Sequence, residues 1–376
     1  MDRELLRCRA WIEVNLCELD HNLADIRSHI SEGCEIIAVV KADAYGHGMT
    51  PVALRLNEKG VNFFAVACLT EAIELREVLP NANILILGYT SHKYAKYLSD
   101  NNLIQSVFEL EHAQALNDSG YKLRIHIAID SGMRRYGFDY AKLSVIENVF
   151  KCENLKIEAT ATHFSVADSL EKSDIEFTIK QMNRFDGAVA ALKERGCDVG
   201  KLHAQSSYAI YNHPEMKYDY VRPGIMLYGV QSISDETEIR TNLNPLLSVK
   251  AVISQVRWIE AGESVSYGRL YTADKPMKLA SVAIGYADGI PRQMTGNGGM
   301  CIVNGCKVPI VGRICMDSLM IDATNIDDIK TGDTATLIGR DGNEVIHSED
   351  VAAICGTITN DILSRFSKRL PKIFTE

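Results

Sequence analysis

The feature that most constrains this chain is a repeated change of hydrophobic period across its first two-thirds. Short β-branched runs at 36–40, 63–67, 83–87, 105–108, 123–129, 157–162, 201–204 and 220–226 read as strands. Between them lie longer amphipathic stretches at 50–59, 69–78, 91–100, 109–118, 140–151 and 173–195. In the last of these, Phe177, Met182, Phe185 and Val189 fall on one helical face. Apolar strands alternating with helices predict a parallel sheet covered on both sides. Eight such repeats is the number that closes a (β/α)8 barrel.

Beyond Asn244 the texture changes to strand-like runs at 246–259, 277–284, 300–303, 307–311, 318–321 and 334–338. Gly- and Asp-bearing turns such as Asn304-Gly305 and Asp341-Gly342 separate them, and a short amphipathic helix follows at 348–354. The expected fold class is therefore α/β: a barrel over 12–240 followed by a mostly-β domain over 241–376.

Charge narrows the partners. A net charge of −9 argues against nucleic acid or a polybasic membrane contact, which both need clustered positive charge. The ten cysteines form no CxxC pair, so no metal site is expected and reduced thiols in a cytoplasmic setting are. No apolar run reaches the roughly 18 residues of a membrane helix. The opening stretch, Met1 to Ala10, lacks the apolar core of a signal peptide.

In a barrel, reactive groups sit at the C-terminal ends of strands. Lys41 follows the first strand directly, and an amine leaving an apolar strand is poorly solvated and able to condense with an aldehyde. Asp130 to Arg135 follow the fifth strand, Thr162-His163 the sixth, His203 to Ser207 the seventh and Arg222 to Ile225 the eighth. Taken singly these are weak signals: His163 reads as a satisfied core histidine and Arg222 as a salt-bridge partner. Together they gather a lysine, arginines, a histidine and small-residue loops around one mouth. Small residues after the last strands suit a phosphate, and a phosphate beside a reactive lysine points to pyridoxal 5'-phosphate.

The run Ala38-Val39-Val40-Lys41-Ala42-Asp43-Ala44-Tyr45-Gly46-His47-Gly48 resembles the pyridoxal-phosphate attachment motif of alanine racemases. Val265-Ser266-Tyr267-Gly268, Ile284 to Gly289 and Val311 to Asp317 resemble further motifs of that family, over nearly the whole chain. The resemblance implies a pyridoxal-phosphate barrel followed by a β domain, in a homodimer with shared active sites that act on a small amino acid. Lys41 would carry the cofactor and act as base on the D face. Tyr267, from the partner subunit, would act on the L face with His163 bonded to it. Arg222 would face the pyridine nitrogen, and Arg135 the ring oxygen and the substrate carboxylate. Tyr45, Ser206, Gly224 and Ile225 would hold the phosphate, Met316 would meet the carboxylate across the interface, and Tyr286, Arg292, Arg313 and Asp317 would line the access corridor. Inversion at Cα needs one proton removed and another delivered on opposite faces, so two opposed groups make chemical sense. A phenol that titrates near 10 needs positive neighbours to take part.

Three positions depart from the family pattern. Ala128 stands where many members carry a lysine that becomes carbamylated and steadies the arginine matched here by Arg135. Gln205 replaces a common asparagine. Asn360 stands where alanine racemases carry a tyrosine lining the substrate pocket. A carboxamide there would admit a hydroxymethyl group, which resembles the serine/alanine racemases of vancomycin-resistance systems. Those often join this module to a membrane-embedded domain, so the chain is expected in the cytoplasm, on its own or as the cytoplasmic part of a membrane-anchored protein. Racemisation of serine, with alanine also accepted, is the expectation; a housekeeping alanine racemase is the alternative. A barrel decarboxylase would not need Tyr267, and a non-catalytic cofactor carrier would not need residues 244–376.

Overall fold

Eight parallel strands, Glu35–Val39, Phe63–Val66, Asn83–Ile86, Ile104–Val107, Leu123–Asp130, Leu155–Ala161, Lys201–Ser206 and Tyr220–Arg222, pair in sequence order. The fourth pairs with the fifth and the eighth returns to the first, so the sheet closes into the expected barrel. The computed structural model describes residues 3–233, 237–366 and 368–376. Alternate residues of a strand face opposite sides, and the first strand shows the consequence. Ile37 and Val39 join Phe63, Ala65, Leu85 and Ile104 in the barrel interior. Ile36 and Ala38 face outward into the layer of helices. Fully burying a side chain such as Ile84 or Ile127 is worth about 1.5–3 kcal/mol, which is why these strands read as unbroken apolar runs.

Several boundaries differ from the sequence reading. The eighth strand stops at Arg222 instead of running to 226, because Pro223 has no N–H for the ladder and a 3-10 turn, Ile225–Tyr228, follows Gly224. The stretch 91–100 divides into a 3-10 turn, His92–Tyr94, and a helix, Ala95–Asp100. Residues 140–151 hold only the short helix Leu143–Glu147 and a 3-10 turn.

In the C-terminal part, Leu247–Ile259, Met277–Val282, Met300–Val303, Cys306–Val311, Leu319–Asp322 and Thr334–Asp341 pair antiparallel in a closed cycle. The strand Ala10–Asn15, which precedes the barrel in sequence, pairs antiparallel with Leu247–Ile259 and parallel with the last strand, Lys372–Thr375. Residues 12–15, at the start of the stretch expected to form the barrel, thus pair in the second sheet. Among the described residues no helix is long and apolar enough to cross a membrane.

Candidate active site

The first barrel strand ends in a rare backbone conformation. Ala42, Asp43 and Ala44 have φ of 53°, 54° and 53°, with ψ of 51°, 44° and 50°, and Tyr45 has φ 53°. This is a left-handed helical turn built from residues other than glycine. Each such residue costs about 1–2 kcal/mol over its right-handed form, so the surroundings must hold the turn. Glu71 accepts from the N–H groups of Ala42 and Ala67, each at 2.8 Å. Asp43 accepts from the N–H of Met49 at 2.8 Å and from Nζ of Lys372, on the last strand of the second domain, at 2.7 Å. Gly46 (φ 80°) closes the turn against the Leu363 carbonyl, where a Cβ would collide.

The turn directs Lys41 and Tyr45 into a cavity of about 700 Å³ at the C-terminal mouth of the barrel. Burial and the nearby Arg135 guanidinium lower the Lys41 pKa, which favours the free amine a carbonyl condensation needs. Burial raises the Tyr45 phenol to about 12, so it stays a neutral hydrogen-bond donor. Ser206, Gly224 and Ile225 line the same cavity. A Cβ on Gly224 would fall 2.8 Å from the Tyr45 hydroxyl, so glycine makes room for that group. The Gly224 N–H is already donated to Ser207 Oγ at 2.8 Å, so Gly224 contributes space rather than a free donor.

Arg222 is buried and has no carboxylate partner among the described residues. It donates to the carbonyls of Thr162 (2.8 Å) and Ala204 (2.9 Å), to His203 Nδ1 (2.6 Å) and to His163 Nδ1 (3.3 Å). A guanidinium can only donate, so both imidazoles accept at Nδ1 and carry their proton on Nε2. His203 Nε2 then donates to His126 Nδ1 at 3.0 Å. Burial, followed by the Arg222 charge, holds His163 near 3 and His203 well below its ordinary value; burial takes His126 to about 3. Burial, and after it Arg135, draws Arg222 itself down to about 10, which leaves it charged at neutral pH.

Arg135, His163 and Asn360 complete the wall of the cavity, and Ala128 lies on it too. Arg134 pairs with Asp130 at 3.3 Å, whereas no carboxylate pairs with Arg135 among the described residues. Asn360 lies in the first turn of the helix Thr359–Ser364, and its Oδ1 is buried with no partner among the described residues. Tyr267, Met316, Tyr286, Arg292, Arg313 and Asp317 are not on this wall. Tyr267, Met316 and Tyr286 are 69%, 52% and 43% exposed, on neighbouring loops. Those loops are tied together: Ser266 Oγ donates to the Arg313 carbonyl at 2.6 Å, and Ala287 N to the Met316 carbonyl at 3.0 Å. Asp317 accepts from Arg369 at 2.7 Å.

The sequence reading missed Glu71, His126 and the role of His203. Glu71 has no local signature, since it acts through a neighbouring loop. His126 could have been found: a histidine amid the apolar residues of a central strand must have a polar partner inside the barrel.

Buried lysine, neutral hydroxyls and an uncompensated guanidinium around one cavity fit pyridoxal phosphate, with its aldehyde, phosphate and ring nitrogen. Comparison with known proteins agrees. The alanine racemase N-terminal domain matches residues 14–232, and the alanine racemase C-terminal domain residues 246–374. The chain is 40% identical over 363 residues to an amino-acid racemase of Enterococcus faecalis, covering 96% of this chain but 51% of that protein, so it spans about half of that relative's length. It is 40% identical over 368 residues to an alanine racemase of Carboxydothermus hydrogenoformans, covering 97% of this chain and 99% of the relative. The solved alanine racemase of Clostridium difficile 630 superposes with a TM-score of 0.91 at 36% identity, over 98% of this chain and 96% of that one.

Proposed function

This chain belongs to the alanine racemase family, an enzyme family that uses pyridoxal phosphate, and we propose that it interconverts L- and D-alanine. The observation that carries the reading is the convergence of Lys41, Tyr45 and Arg222 on one cavity, with Lys41 biased towards its free amine. When bound, the cofactor supplies an electron-withdrawing ring that acidifies the substrate Cα–H. Lys41 would hold it covalently, and its amine, once freed, would move the proton on one face. Tyr45 and Ser206 would donate their hydroxyls to its phosphate, beside the space at Gly224 and Ile225. Arg222 would meet the ring nitrogen as a cation, and Arg135 would receive the substrate carboxylate.

The opposite face needs a second proton carrier. Tyr267, exposed in the single chain and absent from its own cavity wall, fills that role from the partner subunit, with Met316 beside it. His163 then donates from Nε2 to the phenol. Tyr286, Arg292, Arg313 and Asp317 form the access corridor at the same junction.

Alanine takes precedence over serine as substrate because the full-length relatives support it. The second reading, serine as an additional substrate, is supported by the unpartnered Asn360 Oδ1 at the cavity wall, an acceptor suited to a substrate hydroxyl. Borohydride reduction of the holoenzyme, followed by peptide mapping and a chiral assay with L-alanine and L-serine, tests both. Cofactor trapped on Lys41 with racemisation of alanine is expected. Trapping on another lysine removes the site assignment, and loss of Cα protons without appearance of the D enantiomer removes racemisation.

A further inference from the structure

His47 does not line the active-site cavity, yet it is 1% exposed and follows the left-handed turn directly. Its ring stacks on Tyr228, with centroids 4.5 Å apart at 23°, and the Tyr228 hydroxyl donates to the Val39 carbonyl at 2.8 Å. His47 Nδ1 lies 2.9 Å from the Ala44 carbonyl and 3.0 Å from the Tyr45 carbonyl. Carbonyls only accept, so Nδ1 carries the proton and donates to both. Nε2 is left as an acceptor, buried with no partner among the described residues. A buried acceptor without a partner works against folding, and an apolar ring or leucine would fill the space without that cost. What the imidazole adds is the shared donor.

We propose that His47 is a positioning residue whose Nδ1–H staples the Ala44 and Tyr45 carbonyls. It thereby keeps Ala42–Tyr45 left-handed, with the Lys41 amine and the Tyr45 hydroxyl turned into one cavity. Without the staple, the Tyr45 carbonyl is released and the Ala44 carbonyl keeps only the backbone N–H groups of Gly46 and His47, so the L-residues gain by relaxing from this conformation. The amine and the phosphate-binding hydroxyl then lose their fixed separation. The inference rests on the reading of Lys41 as the cofactor lysine.

Three substitutions separate the donor from the bulk. His47→Asn keeps an N–H near the Nδ1 position, His47→Gln carries its amide out towards Nε2, and His47→Leu removes the donor. The measurements are pyridoxal-phosphate affinity by absorbance titration of cofactor-free protein, the fraction of Lys41 reduced by borohydride, and the melting temperature of the same samples. Leu and Gln are expected to weaken binding about tenfold, while Asn stays within about threefold of the parent. Asn binding as weakly as Gln, Leu binding as tightly as the parent, or affinity that merely follows melting temperature overturns the proposal. If His47→Leu does not fold, the Asn–Gln comparison decides. Trapping of the unsubstituted protein away from Lys41 removes the parent reading as well. Trapping at Lys41 with Asn and Gln equal removes the His47 role alone.

Discussion

Asn360 sits at the cavity wall with an acceptor that finds no protein partner, and a buried carbonyl oxygen of this kind favours a ligand that donates to it. The L-serine hydroxyl can donate; the L-alanine methyl cannot. A pocket that only tolerates an added hydroxyl discriminates by about 100-fold at most, whereas one that hydrogen-bonds it reaches about 10,000-fold. Asn360→Tyr is expected to lower the serine-to-alanine ratio of kcat/KM by about tenfold or more, measured by chiral chromatography on both substrates. An unchanged ratio would sever Asn360 from specificity. Arg135 was legible in sequence but its surroundings were not: Ala128 leaves it without a carboxylate, and Arg134 turns to Asp130 instead. That choice depends on which arginine the loop after the fifth strand turns outward, and Arg134 takes a φ of 61° to do so.

The strands and turns at the barrel mouth carry histidines whose burial has a consequence for stability. Burial lowers His47 to about 4, His126 to about 3 and His163 to about 3, while their unfolded values lie near 6.5. Below about pH 6.5 the unfolded chain therefore binds more protons than the folded one, so folding stability is complete above that pH and falls as pH drops towards 4. Each histidine contributes about 1.4 kcal/mol per pH unit within its window. The melting temperature of the cofactor-free protein is expected to fall steadily from pH 7 to pH 5, and His126→Gln to flatten the slope. Melting unaffected by pH over this range would mean that these rings are not held neutral. The elements themselves were largely readable, because strands buried on both faces must be apolar throughout. The left-handed turn was not: Ala42, Asp43, Ala44 and Tyr45 carry no glycine, and their conformation is imposed by Glu71, His47, Lys372 and the Leu363 carbonyl.

At the scale of the whole molecule, each cavity is expected to take its second proton carrier from the other subunit. Lys41→Ala and Tyr267→Phe each remove one carrier, so either homodimer should be inactive. In a hybrid of the two, one of the two sites regains both groups. Refolding an equal mixture should therefore recover about a quarter of the parent activity, as random pairing in a two-fold dimer requires. Activity no higher than the sum of the separate variants would show that sites are not shared. The second domain does more than present Tyr267: Lys372 reaches Asp43, and the Leu363 carbonyl backs Gly46, so the C-terminal segment also braces the lysine turn.

The sequence by itself determined the barrel and the β domain after it, and it put Lys41 at the end of the first barrel strand. These follow from local periodicity and from reactive residues adjoining strand ends. Only the tertiary structure decided that Ala10–Asn15 leaves the barrel for the second sheet, that Arg222 is solvated by imidazoles and carbonyls instead of a carboxylate, and that Lys41 leads a left-handed turn. Each of these depends on partners far away in the chain, and the free energy of such contacts leaves no periodic mark on the residues that make them.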